Sequence, residues 1–182
     1  MSKVYIYHTN QPPTVAAANR SPKKNATHGG FLFDNQSTPS EQIISVIVKF
    51  AKLNEQGQVT IDSLKEIISE KTKLISIAYV SNVLGSVNDV KEIIKLAHQK
   101  NIVVVVDAAQ AVPHMKVDVK DLDCDFLAFS AHKMCGPTGI GILYGKYDLL
   151  LKTSSISYGG GMNAKFFKDT SIEYLDAPVK FE

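Results

Sequence analysis

The sequence has few of the features that quickly assign a protein to the secreted or membrane classes. It contains only two cysteines, Cys124 and Cys135. Two thiols are too few for a disulfide framework, so they favour a reducing compartment and, by default, the cytoplasm. No apolar run approaches the roughly 18 residues that a membrane-spanning helix needs. Residues 1–11 also lack the basic and apolar regions of a signal peptide.

The sequence also lacks a large excess of charge of one sign and histidines or cysteines at the spacing of metal ligands. Twenty Lys and Arg balance eighteen Asp and Glu, which leaves a net charge of +2. The longest basic cluster is Lys23-Lys24, so we expect neither nucleic acid nor a membrane surface as a partner. The five histidines are scattered without zinc spacing, and we expect no metal site. Residues 141–146 space their glycines one residue too close for a phosphate-binding P-loop.

The pattern that is present starts near residue 43. Residues 1–42 are rich in turn-forming and polar residues and stay unassigned, apart from short apolar pieces at 4–7 and 31–33 that predict edge strands. Beyond them, helical spacing alternates with apolar strands. The predicted helices begin at Thr60 and Asp89 and keep helical spacing as far as residues 68 and 97. The predicted strands cover residues 74–80, 103–107, 126–129 and 140–144.

This alternation predicts an α/β fold, with a central, mostly parallel sheet flanked by helices. The strand at 103–107 opens with four consecutive valines and has no polar alternation. We therefore expect helices to bury both of its faces.

Polar side chains follow two of the predicted strands. Asp107 ends the valine strand and Gln110 comes three residues later, while Ser130, His132 and Lys133 follow the strand at 126–129. Ligands of such sheets bind at the carboxyl ends of the strands, so one crevice would receive an acid and an amine. Considered alone, Asp107 is typical of a helix N-cap and Lys133 is typical of a solvated surface residue. Residues 136–141, however, hold three glycines and a proline, which predicts a tight backbone path just after Lys133.

These residue types suit pyridoxal 5′-phosphate (PLP). A deprotonated Lys amine can bond its aldehyde, an Asp can keep its pyridine nitrogen protonated, and hydroxyl, imidazole and backbone N–H groups can hold its phosphate. Several segments then resemble the SUF-type cysteine desulfurases, which are class V aminotransferase-like enzymes of PLP fold type I. The resemblance covers about residues 46–182 and includes residues 80–85, 106–114, 117–119, 122–126, 129–133, 136–144 and 177–182.

The resemblance implies that residues 43–182 form part of the large PLP-binding domain. It makes Lys133 the catalytic Schiff-base residue and Asp107 the partner of the pyridinium nitrogen. It also implies three further sets of contacts: Gln110 with the phenolic oxygen of the ring, Ser130 and His132 with the phosphate, and Asn82 with the substrate carboxylate and the cofactor. Residues 159–162 resemble a loop near the active site of a dimer partner. Ala108 stands where many relatives have glycine.

The implied reaction converts L-cysteine to L-alanine and leaves persulfide sulfur on the enzyme for iron–sulfur cluster assembly. The implied partners are a second copy of the chain and a sulfur-acceptor protein. The family's upstream Thr-His pair is not matched by Thr27-His28, and its sulfur-accepting Cys and carboxylate-clamping Arg have no counterpart here. Cys124 is predicted to be a core residue, and Cys135 is not assigned as the nucleophile. A non-catalytic PLP-binding remnant and a selenocysteine lyase-like enzyme are the alternatives.

Overall fold

A six-stranded sheet organises the chain. The computed structural model describes residues 5–8, 30–31, 44–45, 47–155, 159–168 and 171–181. The strands of the sheet follow the order β4-β1-β5-β6-β7-β8. Their bounds are Tyr5–His8 (β1), Ile47–Lys49 (β4), Thr72–Ala78 (β5), Val103–Asp107 (β6), Phe126–Ser130 (β7) and Gly141–Gly145 (β8).

The centre of this sheet is parallel. Strand β6 pairs in parallel with β5 on one side and with β7 on the other, whereas β1 and β8 run in the opposite direction to the remaining four strands. The predicted α/β class with a mostly parallel central sheet is therefore confirmed. The carboxyl ends of β5, β6 and β7 consequently meet along one edge.

Helix α2 (Val90–His98) covers one face of the sheet. Asp89 is its N-cap and accepts a hydrogen bond from the backbone N–H of Glu92 at 3.2 Å. Its apolar residues recur at helical spacing and are all buried: Val90, Ile93, Ile94 and Ala97. Helix α1 (Ile61–Lys65) and helix α3 (Val119–Leu122) pack against α2. Helix α1 has the predicted start, with Thr60 as its cap, but it ends three residues before the predicted helical spacing does.

The prediction that both faces of β6 are buried is only half right. Val104 and Val106 are fully buried on the α2 side, whereas Val103 and Val105 are half-buried on the opposite face. The reason is that α1, α2 and α3 contribute to a single core on one side of the sheet. Among the described residues, the opposite face is covered only in part, and this open face carries the candidate site.

The first strand differs from its prediction. Strand β1 is not an edge strand, because it lies between β4 and β5 and is antiparallel to both. The predicted strand at 31–33 is represented by β2 (Gly30–Phe31), which pairs with β3 (Ile44–Ser45). The rest of residues 1–42 lies outside the described residues, so the domain boundary near residue 42 stays a prediction.

The remaining elements follow β8. Helix α4 (Tyr147–Lys152) continues directly from that strand. Strands β9 (Asn163–Phe166) and β10 (Ile172–Tyr174) then form an antiparallel pair. Short 3-10 helices occur at Ala131–Met134, Gly160–Met162 and Val179–Phe181.

Candidate active site

The sheet register places the predicted acid and the predicted amine-bearing loop at the same edge. Asp107 lies beside Ala78 of β5 and Ala128 of β7. Adjacent strands are about 4.8 Å apart, and two residues along a strand add about 6.6 Å. Ser130 lies on the neighbouring strand, two residues beyond Ala128. It is therefore separated from Asp107 by one strand spacing across the sheet and by two residues along it. Because side chains alternate between faces, Asp107 and Ser130 share the open face opposite α2.

Asp107 is exposed, and only part of its carboxylate is used by the protein. Its Oδ1 accepts a hydrogen bond from the backbone N–H of Ala109 at 2.9 Å. Its backbone oxygen accepts from the N–H of Tyr79 at 2.8 Å, which ties the ends of β5 and β6 together. Residues 109–114 form turns, so Asp107 does not cap a helix. Among the described residues no donor is bonded to Oδ2, which leaves that oxygen available to a ligand.

Lys133 lies in a closed loop after β7. The 3-10 helix Ala131–Met134 carries it, and the loop is closed where the N–H of Ala131 donates to the backbone oxygen of Ile140 at 3.0 Å. Lys133 is half-buried, and no carboxylate of the described residues forms an ion pair with its amine. Ser130 precedes the 3-10 helix, and its half-buried hydroxyl makes no capping hydrogen bond. His132 is exposed.

The predicted tight path after Lys133 is confirmed, and glycine is required in it. A Cβ at Gly136 would lie 2.8 Å from the Cβ and 2.9 Å from the backbone oxygen of Ala131. The N–H of Gly136 donates to that same oxygen at 2.9 Å. Cys135 and Gly139 have φ values of 62° and 82°, in the left-handed region. These turns hold the 3-10 helix against the end of β7.

Asn82 and Gln110 follow β5 and β6 at the same edge. Asn82 is exposed in a turn, and Gln110 is half-buried in the turns after Asp107. The backbone oxygen of Gln110 is paired with Nδ1 of His114 at 2.8 Å. His114 is exposed. Asp107 and Ser130 are the last residues of β6 and β7, and the other four predicted site residues follow β5, β6 or β7 in the chain. Their individual roles stay predictions.

The predicted loop at residues 159–162 includes the 3-10 helix Gly160–Met162. Met162 is buried, and its sulfur lies 2.9 Å from the backbone nitrogen of Gly159. Residues 156–158 lie outside the described part of the chain, and a role for this loop at a partner's site stays a prediction.

Sequence reasoning missed a charged cluster at the opposite, amino-terminal edge. The buried carboxylate of Asp125 accepts a hydrogen bond from the N–H of Val104 at 2.8 Å and pairs with Nε2 of His98 at 3.0 Å. Lys146 bridges Asp125 and Asp123, with its Nζ at 3.1 Å and 2.7 Å from the two carboxylates. Burial opposes the charge of Lys146, but its hydrogen bonds to the two carboxylates outweigh burial and raise its pKa. In the sequence, the one available signal of this cluster is Asp125, an acidic residue directly before the apolar strand at 126–129.

The two cysteines have different environments. Cys124 is fully buried in the core, as predicted, and burial raises the pKa of its thiol. Cys135 is exposed, and neither cysteine is in a disulfide.

Within the described ranges, no group of three or more His, Cys, Asp or Glu is placed to hold a metal ion. No helix there is long and apolar enough to cross a membrane.

Comparison with known proteins places these features in context. Residues 39–182 match the family model described as aminotransferase class-V. A probable cysteine desulfurase of Halalkalibacterium halodurans is 47% identical over 133 residues, which are 73% of this chain and 32% of that protein. A cysteine desulfurase of Haloferax volcanii is 46% identical over 136 residues, or 74% of this chain and 32% of that protein. The chain thus spans about a third of the length of the curated relatives it matches.

Solved structures agree with these sequence matches. The crystal structure of the cysteine desulfurase CsdA from Escherichia coli has a TM-score of 0.68 at 42% identity, covering 71% of this chain and 32% of that one. The apo cysteine desulfurase from Thermococcus onnurineus also has a TM-score of 0.68, at 36% identity, and covers 74% and 33% of the two chains. The expected likeness to cysteine desulfurases is confirmed, whereas assignment to the SUF type stays a prediction.

Proposed function

Since the chain belongs to the class V aminotransferase family, we propose that it forms the PLP-holding part of a cysteine desulfurase. One observation carries this proposal: the register brings Asp107 to the same edge and face as Ser130 and the closed loop of Lys133. A carboxylate, an amine and a phosphate-binding turn at one edge are the groups that this cofactor needs.

The donor set at this edge suits PLP. Lys133 offers an amine that no carboxylate of the described residues pairs with, and it would bond the cofactor's aldehyde carbon. The uncommitted Oδ2 of Asp107 would accept the pyridinium N–H. The hydroxyl of Ser130, which caps nothing, and the exposed imidazole of His132 would donate to the phosphate. Gln110 would contact the phenolic oxygen, and Asn82 would contact the cofactor and the substrate carboxylate.

When bound, PLP supplies an electron sink for the bonds of the substrate carbon that carries the amino group. Lys133 would then move a proton at that carbon, and Asp107 would keep the pyridine nitrogen protonated. These two roles require an amine and a carboxylate held on one rigid edge, and the sheet and the closed loop supply that support.

The proposed substrate is L-cysteine. A thiol group would take the Cβ-bound sulfur, so that L-cysteine and a thiol give L-alanine and a persulfide that can serve iron–sulfur cluster assembly. The names of the relatives support this reaction, as does a structure described as SspA in complex with cysteine, which is 28% identical to this chain. We further propose a cytoplasmic homodimer that passes sulfur to an acceptor protein, in keeping with the two free thiols.

The cofactor claim is tested by reductive trapping. The chain is incubated with PLP, reduced with borohydride, digested and mapped by mass spectrometry. The expected adduct lies on Lys133 and is absent from a Lys133→Ala variant. Lys152→Ala, which removes an exposed lysine of α4, is the matched control and should keep the adduct. An adduct that forms equally in Lys133→Ala would refute the assignment.

Turnover is a separate measurement. The chain is supplied with PLP and L-cysteine, and alanine and sulfide are quantified in the presence of a reducing thiol. Product formation supports the desulfurase, whereas trapping at Lys133 without product supports the non-catalytic remnant. L-selenocysteine offered in competition distinguishes the selenocysteine lyase-like alternative.

A further inference from the structure

The turn that carries Asn82 belongs to a loop with its own hydrogen-bond frame. This Asn82 loop, residues 79–88, is closed by an antiparallel bridge between Val80 and Val87. Within it, the N–H of Ser81 donates to the backbone oxygen of Ser86 at 2.9 Å, and the N–H of Gly85 donates to that of Ser81 at 3.0 Å. The Ser81 hydroxyl also accepts from the N–H of Leu84 at 3.1 Å. The turn therefore holds its shape internally, and the N–H of Tyr79, which donates to the backbone oxygen of Asp107, joins its first residue to β6.

Asn88 supplies a second anchor, at the other end of the loop. Its side chain is 1% exposed, although it is an amide with four hydrogen-bonding positions. Its Nδ2 donates to the backbone oxygen of Ala78, the last residue of β5, at 2.7 Å. Its Oδ1 accepts from the N–H of Val59 at 2.8 Å, and its backbone N–H donates to the oxygen of Tyr79 at 2.9 Å. One buried residue thus joins the end of β5, the base of the loop and the segment before α1.

The same neighbouring segment supports the rest of the loop. The Ser86 hydroxyl donates to the backbone oxygen of Gly57 at 2.8 Å, and Gln58 Nε2 donates to that of Val87 at 2.8 Å. Gly57 is also closely covered by the loop, because a Cβ there would lie 2.5 Å from Leu84 Cδ1. The loop is therefore fixed on two sides, and Asn88 is the buried residue that connects them.

We propose that Asn88 is a positioning residue that fixes the Asn82 turn at the carboxyl edge of the sheet. Ala78, which receives its amide, lies beside Asp107 in the sheet. The same hydrogen bond therefore sets the position of Asn82 relative to the proposed pyridinium partner. The catalytic meaning of this position rests on the proposed function, whereas the anchoring itself does not.

The anchoring is tested by hydrogen exchange on the chain without cofactor. In Asn88→Ala, the amides of Ser81, Leu84 and Gly85 should exchange at least about tenfold faster, because the side-chain hydrogen bonds to the Ala78 oxygen and from the Val59 N–H are lost. Thr72→Ala is the matched control: it truncates another buried polar residue, at the opposite end of β5. It should leave those three amides unchanged. Equal acceleration in both variants would show a general loss of stability and overturn the proposal.

A measurement on the unaltered chain guards against a variant that fails to fold. The Asn88 side-chain amide protons should exchange at least about a hundredfold more slowly than those of the exposed Asn101 in the same NMR spectrum. Equal exchange rates for the two side chains would contradict the proposed anchor.

The connection to the cofactor is tested by a double-variant cycle on the PLP dissociation constant. If Asn88 acts through Asn82, then Asn82→Ala and Asn88→Ala should each weaken PLP binding, and the double variant should be no weaker than the poorer single variant. Multiplicative effects would show that Asn88 does not act through Asn82. A wild-type chain that binds no PLP would refute the proposed function and leave the exchange result to decide the anchoring.

Discussion

Gly136 shows how closely the backbone itself determines the candidate site. The atoms that a Cβ would meet belong to Ala131, at the start of the 3-10 helix that carries Lys133, and one of them is a backbone oxygen. We expect Gly136→Ala to shift this loop and to cost about 1–3 kcal/mol of unfolding free energy. Urea denaturation measures the cost, and the yield of the Lys133 adduct should fall in parallel.

The control for this substitution is Gly161→Ala. A Cβ at Gly161 would have no atom of the described residues within 4 Å, and its φ is not positive. Its unfolding free energy should stay within about 0.5 kcal/mol of wild type. If both variants are equally stable and trap PLP equally well, the close approach of Gly136 to Ala131 does not constrain the site.

Asp123 predicts a specific pH dependence. Its hydrogen bond from Lys146 holds the pKa of its carboxyl below the ordinary value of 3.8. Its ion pair therefore stabilises the fold above that value, and this stabilisation is lost as the pH falls through the lower folded-state pKa. Because 65% of the side chain is exposed, Asp123→Asn should cost no more than about 1 kcal/mol at pH 7.

Urea denaturation of both proteins between pH 3 and pH 7 measures this dependence. The difference between Asp123→Asn and wild type should shrink towards zero at the acid end. Glu70→Gln, which changes an exposed carboxylate without an ion pair in the described region, should show no such convergence. A difference that is constant with pH would exclude a contribution from the Asp123 charge.

Among the elements, helix α2 packs on the core face of β6 and buries it. Its N-cap, Asp89, satisfies a backbone N–H that would otherwise lack a partner in the helix. Asp89→Ala should therefore cost about 1 kcal/mol of unfolding free energy, measured by urea denaturation. Lys100→Ala, an exposed change just after the helix, should cost almost nothing. Equal stability of the two variants would mean that the cap does not limit the stability of α2.

The elements also show which features the sequence could predict. Helix α2 could be predicted because its cap and its four buried apolar residues are local signals. The half-open face of β6 could not be predicted in this way. A run of valines indicates burial, but it does not indicate how many helices are available to cover each face. The position of β1 inside the sheet was also hidden, since Tyr5 pairs with Ser76, far along the chain. For the same reason, the motif at residues 80–85 was found, but its anchor Asn88 resembled an ordinary turn residue.

Exposed apolar side chains on β8 affect the behaviour of the whole molecule. Ile142 is 41% exposed and Leu143 is 61% exposed, and Leu143 shares the open face with Asp107. An apolar strand of this kind favours self-association. Burying one Leu side chain contributes about 1.5–3 kcal/mol, so Leu143→Lys should raise the dissociation constant for self-association about tenfold or more.

Light scattering over a range of protein concentrations measures this effect. Met115→Lys is the control, since Met115 is exposed but lies in the turns after β6. It should change the association much less than Leu143→Lys does. Equal effects of the two substitutions would show that added charge, not the surface of β8, controls association.

The ionic cluster of His98, Asp123, Asp125 and Lys146 lies at the opposite edge of the sheet from Lys133 and Asp107. The groups proposed for chemistry and the charges that tie the strand starts together therefore have no residue in common. Mutations in the two groups should have nearly additive effects on stability, because distant sites couple weakly. A laboratory evolution experiment could strengthen the amino-terminal edge first and use the gained stability to tolerate new, destabilising residues around the cofactor.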